Sequence, residues 1–251
     1  MEVSVVIPIH NGLCYLEKCL SSVIKQNVDM EIIIIDDAST DGLEKELENI
    51  KKKLNIETII YLKNEIKLGP AATRNKGIIA ASGHYIAFID ADDWWEEGKL
   101  KEQLKVMEEK ETYFVFTGRR NVFEDGRTNV VECMEKITYN DILKNNHITT
   151  SSVLIDSNIA KRYLMEHSEL CEDYLTWLKI LKDYKNAYGI NKPLVNYRVH
   201  KNSTSSNKIR HAIKRYKVYK LIGINFPMRI YYSMYYMIVG ISKYYVRKKG
   251  N

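Results

Sequence analysis

Four apolar runs in the first 90 residues each stop at a polar cluster, and between them the apolar spacing becomes that of a helix. The runs cover residues 3–7, 31–35, 56–62 and 85–89. The second, Glu31-Ile32-Ile33-Ile34-Ile35, is continuously apolar after its first residue, as strands buried on both faces are. The spacing predicts a first helix over 12–26, with Asn11 as its N-cap and Leu13, Leu16, Leu20, Val23 and Ile24 on one face. A second helix carries Leu43, Leu47, Ile50 and Leu54. A third runs from Gly69-Pro70 to about Ala81, with Ser82-Gly83 closing it. The order βαβαβαβ predicts a parallel sheet covered by helices. Ligands of such sheets bind beyond the carboxyl ends of the strands. Pro8-Ile9-His10-Asn11, residues 36–41 and residues 90–93 should therefore meet along one edge.

The second half is less regular. A helix is expected over 98–110, strands over 113–117, 152–155 and 194–199, and a hairpin with an Asp125-Gly126 turn. Thr138 should cap a short helix, and Glu172-Asp173 should open one containing Leu175, Leu178 and Leu181. From residue 207 the chain reads as helical, with a break near Asn225-Phe226-Pro227.

The fourth run ends in Asp90-Ala91-Asp92-Asp93. Three carboxylates within four residues repel one another, and desolvation raises the cost. One reading is a solvated turn with an Asp cap. The other is a divalent cation held together with a diphosphate.

With 251 residues the chain can bury a full core, and 45% hydrophobic against 28% charged residues suits a soluble globular protein. Its charge is uneven. Residues 1–183 hold 23 Lys+Arg against 32 Asp+Glu, whereas 184–251 hold 15 Lys+Arg, no acid and 11 of the 18 tyrosines. A basic, Tyr-rich end suits an anionic surface, and without a nucleic-acid motif a membrane is the favoured one. Cys14, Cys19, Cys133 and Cys171 lack Cys-x-x-Cys spacing, so free thiols in the cytosol are expected. The first residues lead directly into a strand, with no signal-peptide pattern.

Six segments taken in order resemble the family 2 inverting glycosyltransferases of the GT-A fold. They are residues 5–11, residues 34–41, residues 69–77, Ile89-Asp90-Ala91-Asp92-Asp93, Cys171-Glu172-Asp173-Tyr174 and Tyr197-Arg198-Val199-His200. The resemblance implies an α/β GT-A domain over 1–206, with a nucleotide-sugar half (1–93) and an acceptor half (94–206), followed by a basic helical extension (207–251). It also implies transfer of a sugar from a nucleotide-sugar donor, a UDP-sugar by preference, to a glycan or lipid-linked saccharide. The products of the type it most resembles are bacterial surface polysaccharides.

The resemblance implies roles for individual residues. Pro8 turns the chain across the nucleobase, and His10 stands where the family usually has Tyr. Asp37 accepts from the base, and Asp36 braces its loop. Arg74, near a helix N-terminus, contacts the base or the diphosphate. Asp90 and Ala91 lie by the ribose. Asp92 binds Mn²⁺ or Mg²⁺, which offsets charge on the departing diphosphate. Asp93 faces the donor sugar or a helix start. Asp173 is the candidate general base, with Glu172 as the alternative. His200 reaches the metal or the diphosphate, or is a loop histidine. Trp94, Trp95 and Trp177 stack on sugars or belong to the core.

Residues 230–242 form an uncharged stretch too short to span a bilayer. With Met234, Met237 and the terminal Arg247-Lys248-Lys249 they suit an interfacial helix at the inner face of the plasma membrane, or a core or dimer helix. A nucleotidyltransferase would need a Gly-rich basic phosphate loop after the first strand, which residues 8–12 lack. An inactive sugar-nucleotide or membrane-binding module would not need Asp90, Asp92 and Asp173 together.

Overall fold

The structure, a computed structural model, describes residues 1–167, 169–200 and 208–249, and the side chains of these except 208, 209 and 239–249. The side chains of Arg247, Lys248 and Lys249, singled out above, and residue 207, where the helical end was expected to begin, lie outside the described residues.

The first half is β1 (Val3–Ile9), α1 (Leu13–Ile24), β2 (Met30–Asp36), α2 (Leu43–Leu54), β3 (Ile60–Lys63), α3 (Pro70–Ala80) and β4 (Tyr85–Phe88). All four strands pair in parallel, in the order β3-β2-β1-β4. β3 is shorter than expected, because only Ile60 to Lys63 pair with β2. Asn11 is not the N-cap of α1. It is left-handed (φ 51°) and its side-chain oxygen accepts from the Thr40 N–H, while the Asp41 carboxylate caps the Leu13 N–H. The first helix is thus capped from the β2–α2 loop, fixing two strand-end loops against each other.

The second half adds β5 (Trp94–Trp95), α4 (Lys99–Glu109), β6 (Phe114–Phe123), β7 (Thr128–Val131) and β8 (Lys136–Thr138). Then come α5 (Tyr139–Lys144), a 3₁₀ turn at Thr150–Ser152, β9 (Leu154–Asp156), α6 (Ser157–Arg162), α7 (Glu172–Tyr184) and β10 (Asn186–Val199). β9 is antiparallel to both β4 and β6, and β10 is parallel to β6. β10 therefore runs in the direction of β1 to β4, and its carboxyl end emerges on their edge. That topology delivers His200 to the carboxylates after β4. The β6–β7 hairpin turns at Gly126 (φ 84°), as the Asp-Gly pair predicts. Thr138 opens α5, its N–H and hydroxyl both donating to Asp141.

Helices pack on both faces of the sheet, with one apolar cluster on each. α3 lies so close to β1 and β2 that a Cβ on Gly77 would come within 2.6 Å of Val6 and Ile35. The last two helices, α8 (Lys208–Leu221) and α9 (Phe226–Lys249), are not free of this body. Val218 and Tyr219 are fully buried in the cluster that holds α5 and α7. Trp177 belongs to the same core, between Phe88 and Phe114. Trp95 is buried with its indole N–H on the Ser151 carbonyl, so neither of these tryptophans is open to a sugar. Trp94 lies beneath the Lys18 ammonium.

Candidate active site

Two cavities open along the strand-end edge. The first, about 430 Å³, is lined by Pro8, His10, Asp37, Ala91, Asp92 and His200, among others. The second, about 500 Å³, is lined by Glu172, Asp173, Thr150 and side chains from β10, α8 and α9. Pro70, Arg74 and Asp90 line both, so the cavities adjoin there. Pro8, His10, Asp37, Arg74, Asp90, Ala91, Asp92, Glu172, Asp173 and His200 each line one cavity or both, whereas Asp93 and the three tryptophans line neither.

In the first cavity Asp92 and His200 come together. Asp92 Oδ2 lies 3.0 Å from His200 Nε2, and the imidazole packs against Tyr15. Burial, then the charge of Asp90, push the Asp92 carboxyl above its ordinary range, against the pull of His200. A carboxylate in that state has an unmet demand for positive charge. Among the described residues no three His, Cys, Asp or Glu side chains form a complete metal cluster. A carboxylate and an imidazole side by side could hold Mn²⁺ or Mg²⁺ only together with waters and the oxygens of a substrate diphosphate.

Asp93 separates from its neighbours. It is 1% exposed and accepts from Ser151 Oγ (2.6 Å) and the Arg198 N–H (2.9 Å). It therefore faces neither a donor sugar nor a helix start. It fastens the end of β10 to the 3₁₀ turn. Burial, then Asp90 and Asp92, raise its carboxyl far above the usual range.

Asp37 is buried and already occupied. Its Oδ1 accepts from the Leu68 N–H and Asn64 Nδ2, and its Oδ2 from the Gly69 N–H. Burial opposes ionisation, but these bonds outweigh it and hold the carboxyl below its ordinary value. Asp37 thus shapes the loop leading into α3. Asp36 braces its own loop, accepting from the Ser39 N–H and the Tyr61 hydroxyl. His10 is exposed, with Nδ1 against the Asp37 carbonyl.

Arg74 is already paired with two anions. It is 7% exposed, and its guanidinium bonds Asp90 Oδ1 (2.7 Å) and Glu172 Oε1 (3.1 Å). Burial works against its charge, but those two carboxylates hold it ionised. Burial and the charge of Asp173 raise the Glu172 carboxyl, and Arg74 opposes them. Glu172 is therefore committed to an ion pair. Asp173, at the start of α7, accepts from Thr150 Oγ1 (3.0 Å) and the Tyr174 N–H, and lines the second cavity.

Residues 4–163 match the family model described as glycosyl transferase family 2. This chain belongs to that family. A putative teichuronic acid biosynthesis glycosyltransferase, TuaG of Bacillus subtilis (strain 168), is 39% identical over 223 residues, covering 88% of each chain. The Escherichia coli protein WfaP, a UDP-Glc:α-D-GlcNAc-diphosphoundecaprenol β-1,3-glucosyltransferase, is 33% identical over 243 residues, covering 96% of this chain and 95% of that one. Among solved structures, residues 1–349 of Staphylococcus aureus TarS with UDP-GlcNAc superpose with a TM-score of 0.72 at 21% identity. That match covers 87% of this chain and 65% of the TarS chain. The fold is GT-A, and the protein is a family 2 glycosyltransferase.

Sequence reasoning about the family missed several residues that build its site here. Ser151 bonds both Asp93 and the Asp90 N–H, and Thr150 holds Asp173. A Thr-Ser-Ser run before a strand carries no distinctive spacing. His211, Lys214, Arg215 and Tyr236 of the last two helices also line the second cavity. Their signal was the acid-free, basic composition of 184–251, which shows an excess of cations without showing which ones turn inward.

Proposed function

We propose that the protein is a metal-dependent, inverting glycosyltransferase that moves a sugar from a UDP-sugar to a hydroxyl of a lipid-diphosphate-linked saccharide. The observation that supports this most is the arrangement of the two cavities. Asp92 and His200 lie in one, Asp173 in the other, and the Arg74–Asp90 pair stands where they meet. The first takes the nucleotide diphosphate of the donor. Asp92 and His200 would hold Mn²⁺ or Mg²⁺ there, which when bound supplies charge neutralisation to the departing diphosphate. Pro8 and His10 would flank the base, Asp37 would accept from a base N–H, and Asp90 and Ala91 would lie by the ribose.

The second cavity takes the acceptor. Asp173 removes the proton of the attacking hydroxyl. Thr150 fixes the carboxylate, and Glu172, spent on Arg74, is the lesser candidate for that task. A base and a leaving group housed in adjoining cavities suit a single displacement, which inverts the anomeric centre. The names of TuaG and WfaP support a role in surface polysaccharide synthesis, and that of WfaP supports a UDP donor and a diphosphate lipid acceptor.

No helix among the described residues is long and apolar enough to cross a membrane. α8 and α9 nevertheless expose Leu221, Phe226, Ile230, Tyr231, Met234 and Ile238. An apolar face on a segment without acids fits peripheral attachment at the leaflet that holds the acceptor. The reading is tested by incubating the protein with UDP-sugars, Mn²⁺ and a synthetic saccharide-diphosphate lipid. Its prediction is a product of inverted anomeric configuration by NMR. A retained configuration, or no transfer from any UDP-sugar, sinks it.

A further inference from the structure

The second cavity has more positive charge than its acids balance. On its wall Arg74 is matched by Asp90 and Glu172. Lys214 and Arg215, adjacent on α8, have no carboxylate within ion-pair distance among the described residues, and 184–251 contain none to offer. Arg215 is 2% exposed. Its Nη2 donates to the Tyr174 and Tyr219 hydroxyls (2.9 Å each) and to the Ile142 and Leu143 carbonyls. Its guanidinium lies over the Tyr174 and Tyr236 rings, at 4.2 and 4.5 Å.

All of those partners are neutral. They fix the orientation of the cation and leave its charge unmet, a costly state for a buried group. Among the described residues the Lys214 ammonium makes one hydrogen bond, to the Leu170 carbonyl (3.0 Å), of the three its donors allow. Burial, with Arg215 and Lys214 nearby, lowers the His211 imidazole, against the pull of Asp173. The cavity therefore places two fixed cations and an imidazole on the wall that also carries Asp173.

We propose that Lys214 and Arg215 form the subsite for the diphosphate of the acceptor, positioning its sugar hydroxyl at Asp173. This rests on the glycosyltransferase reading given above. The donor diphosphate belongs with Asp92 and His200, which line only the first cavity, whereas Lys214 and Arg215 line only the second. An anion at Lys214 and Arg215 therefore arrives with the acceptor. Glu169 lies within reach of the Lys214 charge but not in contact with it, and two cations on one wall without a carboxylate in contact suit a dianionic diphosphate better than the single carboxylate of an acidic sugar. α9 continues from this wall into the exposed apolar face, so a diphosphate held here leads its lipid toward the membrane side.

The test uses the full chain with Mn²⁺, a UDP-sugar and three acceptors carrying one sugar: an alkyl diphosphate, the plain alkyl glycoside, and a phosphate-free alkyl glycoside ending in a uronate. The expected result is a KM for the diphosphate acceptor at least about tenfold below that of the plain glycoside, from charge-assisted hydrogen bonds. Lys214→Ala should erase most of that preference through KM rather than kcat, and Lys214→Arg should restore it. Inorganic pyrophosphate should inhibit competitively against the diphosphate acceptor. Equal use of diphosphate and plain acceptors, preference for the uronate, or a Lys214→Ala defect equal on all acceptors overturns the subsite. Donor hydrolysis is read in the same assay. If it persists while the acceptor preference is absent, the subsite alone fails. If metal-dependent donor turnover is absent too, the underlying reading fails with it.

Discussion

Arg74 and Glu172 are 98 residues apart in sequence, and the guanidinium of one lies 3.1 Å from the carboxylate of the other. This contact joins α3 of the first half to α7 of the second, and it decides which acid at the start of α7 is spent. Glu172→Gln should leave turnover within about tenfold of wild type, because Arg74 keeps Asp90. It should lower stability by about 1–3 kcal/mol, the loss of a charge-assisted bond. Urea denaturation with parallel rate measurements checks both. A loss of turnover as deep as that of Asp173→Asn would move the base to Glu172.

Asp92 and His200 should act as a pair toward the metal. Calorimetry with a UDP-sugar should show Mn²⁺ strengthening binding to the wild type by at least about tenfold, an effect lost in Asp92→Ala. His200→Ala should lose part of it. In chelator, wild type and Asp92→Ala should bind alike. Undiminished metal enhancement in Asp92→Ala would contradict the assignment.

Asp37 gives a pH signature. Its carboxyl is held below its ordinary value in the folded state. Its stabilisation is therefore full above the unfolded value of about 3.9, and is lost as pH falls through the depressed folded value. The stability gap between wild type and Asp37→Asn should be steady from about pH 5 to 8 and close below about pH 4. Urea midpoints across that range provide the measurement, and a gap that widens on acidification would refute the bracing role.

The exposed face of α9 should carry membrane attachment. Met234 and Ile238 are 52% and 62% exposed, so charging them costs little packing. Met234→Asp with Ile238→Asp should reduce flotation with anionic vesicles severalfold and leave the melting temperature near wild type. Flotation of wild type and variant to the same extent would exclude this face as the anchor.

The parallel sheet and the meeting of its polar ends were legible because period and strand-end position are local properties of the chain. The Asp-x-Asp run could be singled out for the same reason, whereas Asp37 and Asp173 are picked out by the family resemblance. What sequence could not supply was pairing over distance. Arg74 reads as an anion-binding helix start, yet it is consumed by Asp90 and Glu172. Asp93 reads like Asp92, yet the path of β10 buries it against Ser151. Asn11 reads as a cap, yet Asp41, 28 residues from Leu13, does the capping. The basic end of the chain reads as a surface, yet Tyr219 of α8 is core and Arg215 turns inward. Each depends on which elements the topology sets side by side.

Single-turnover transfer by Asp173→Asn, with donor affinity measured on the same preparation, tests the central claim most directly. The account predicts a rate at least about 10²-fold below wild type, the range for loss of a general base, with donor affinity within about twofold. A transfer rate near wild type in that variant would contradict it.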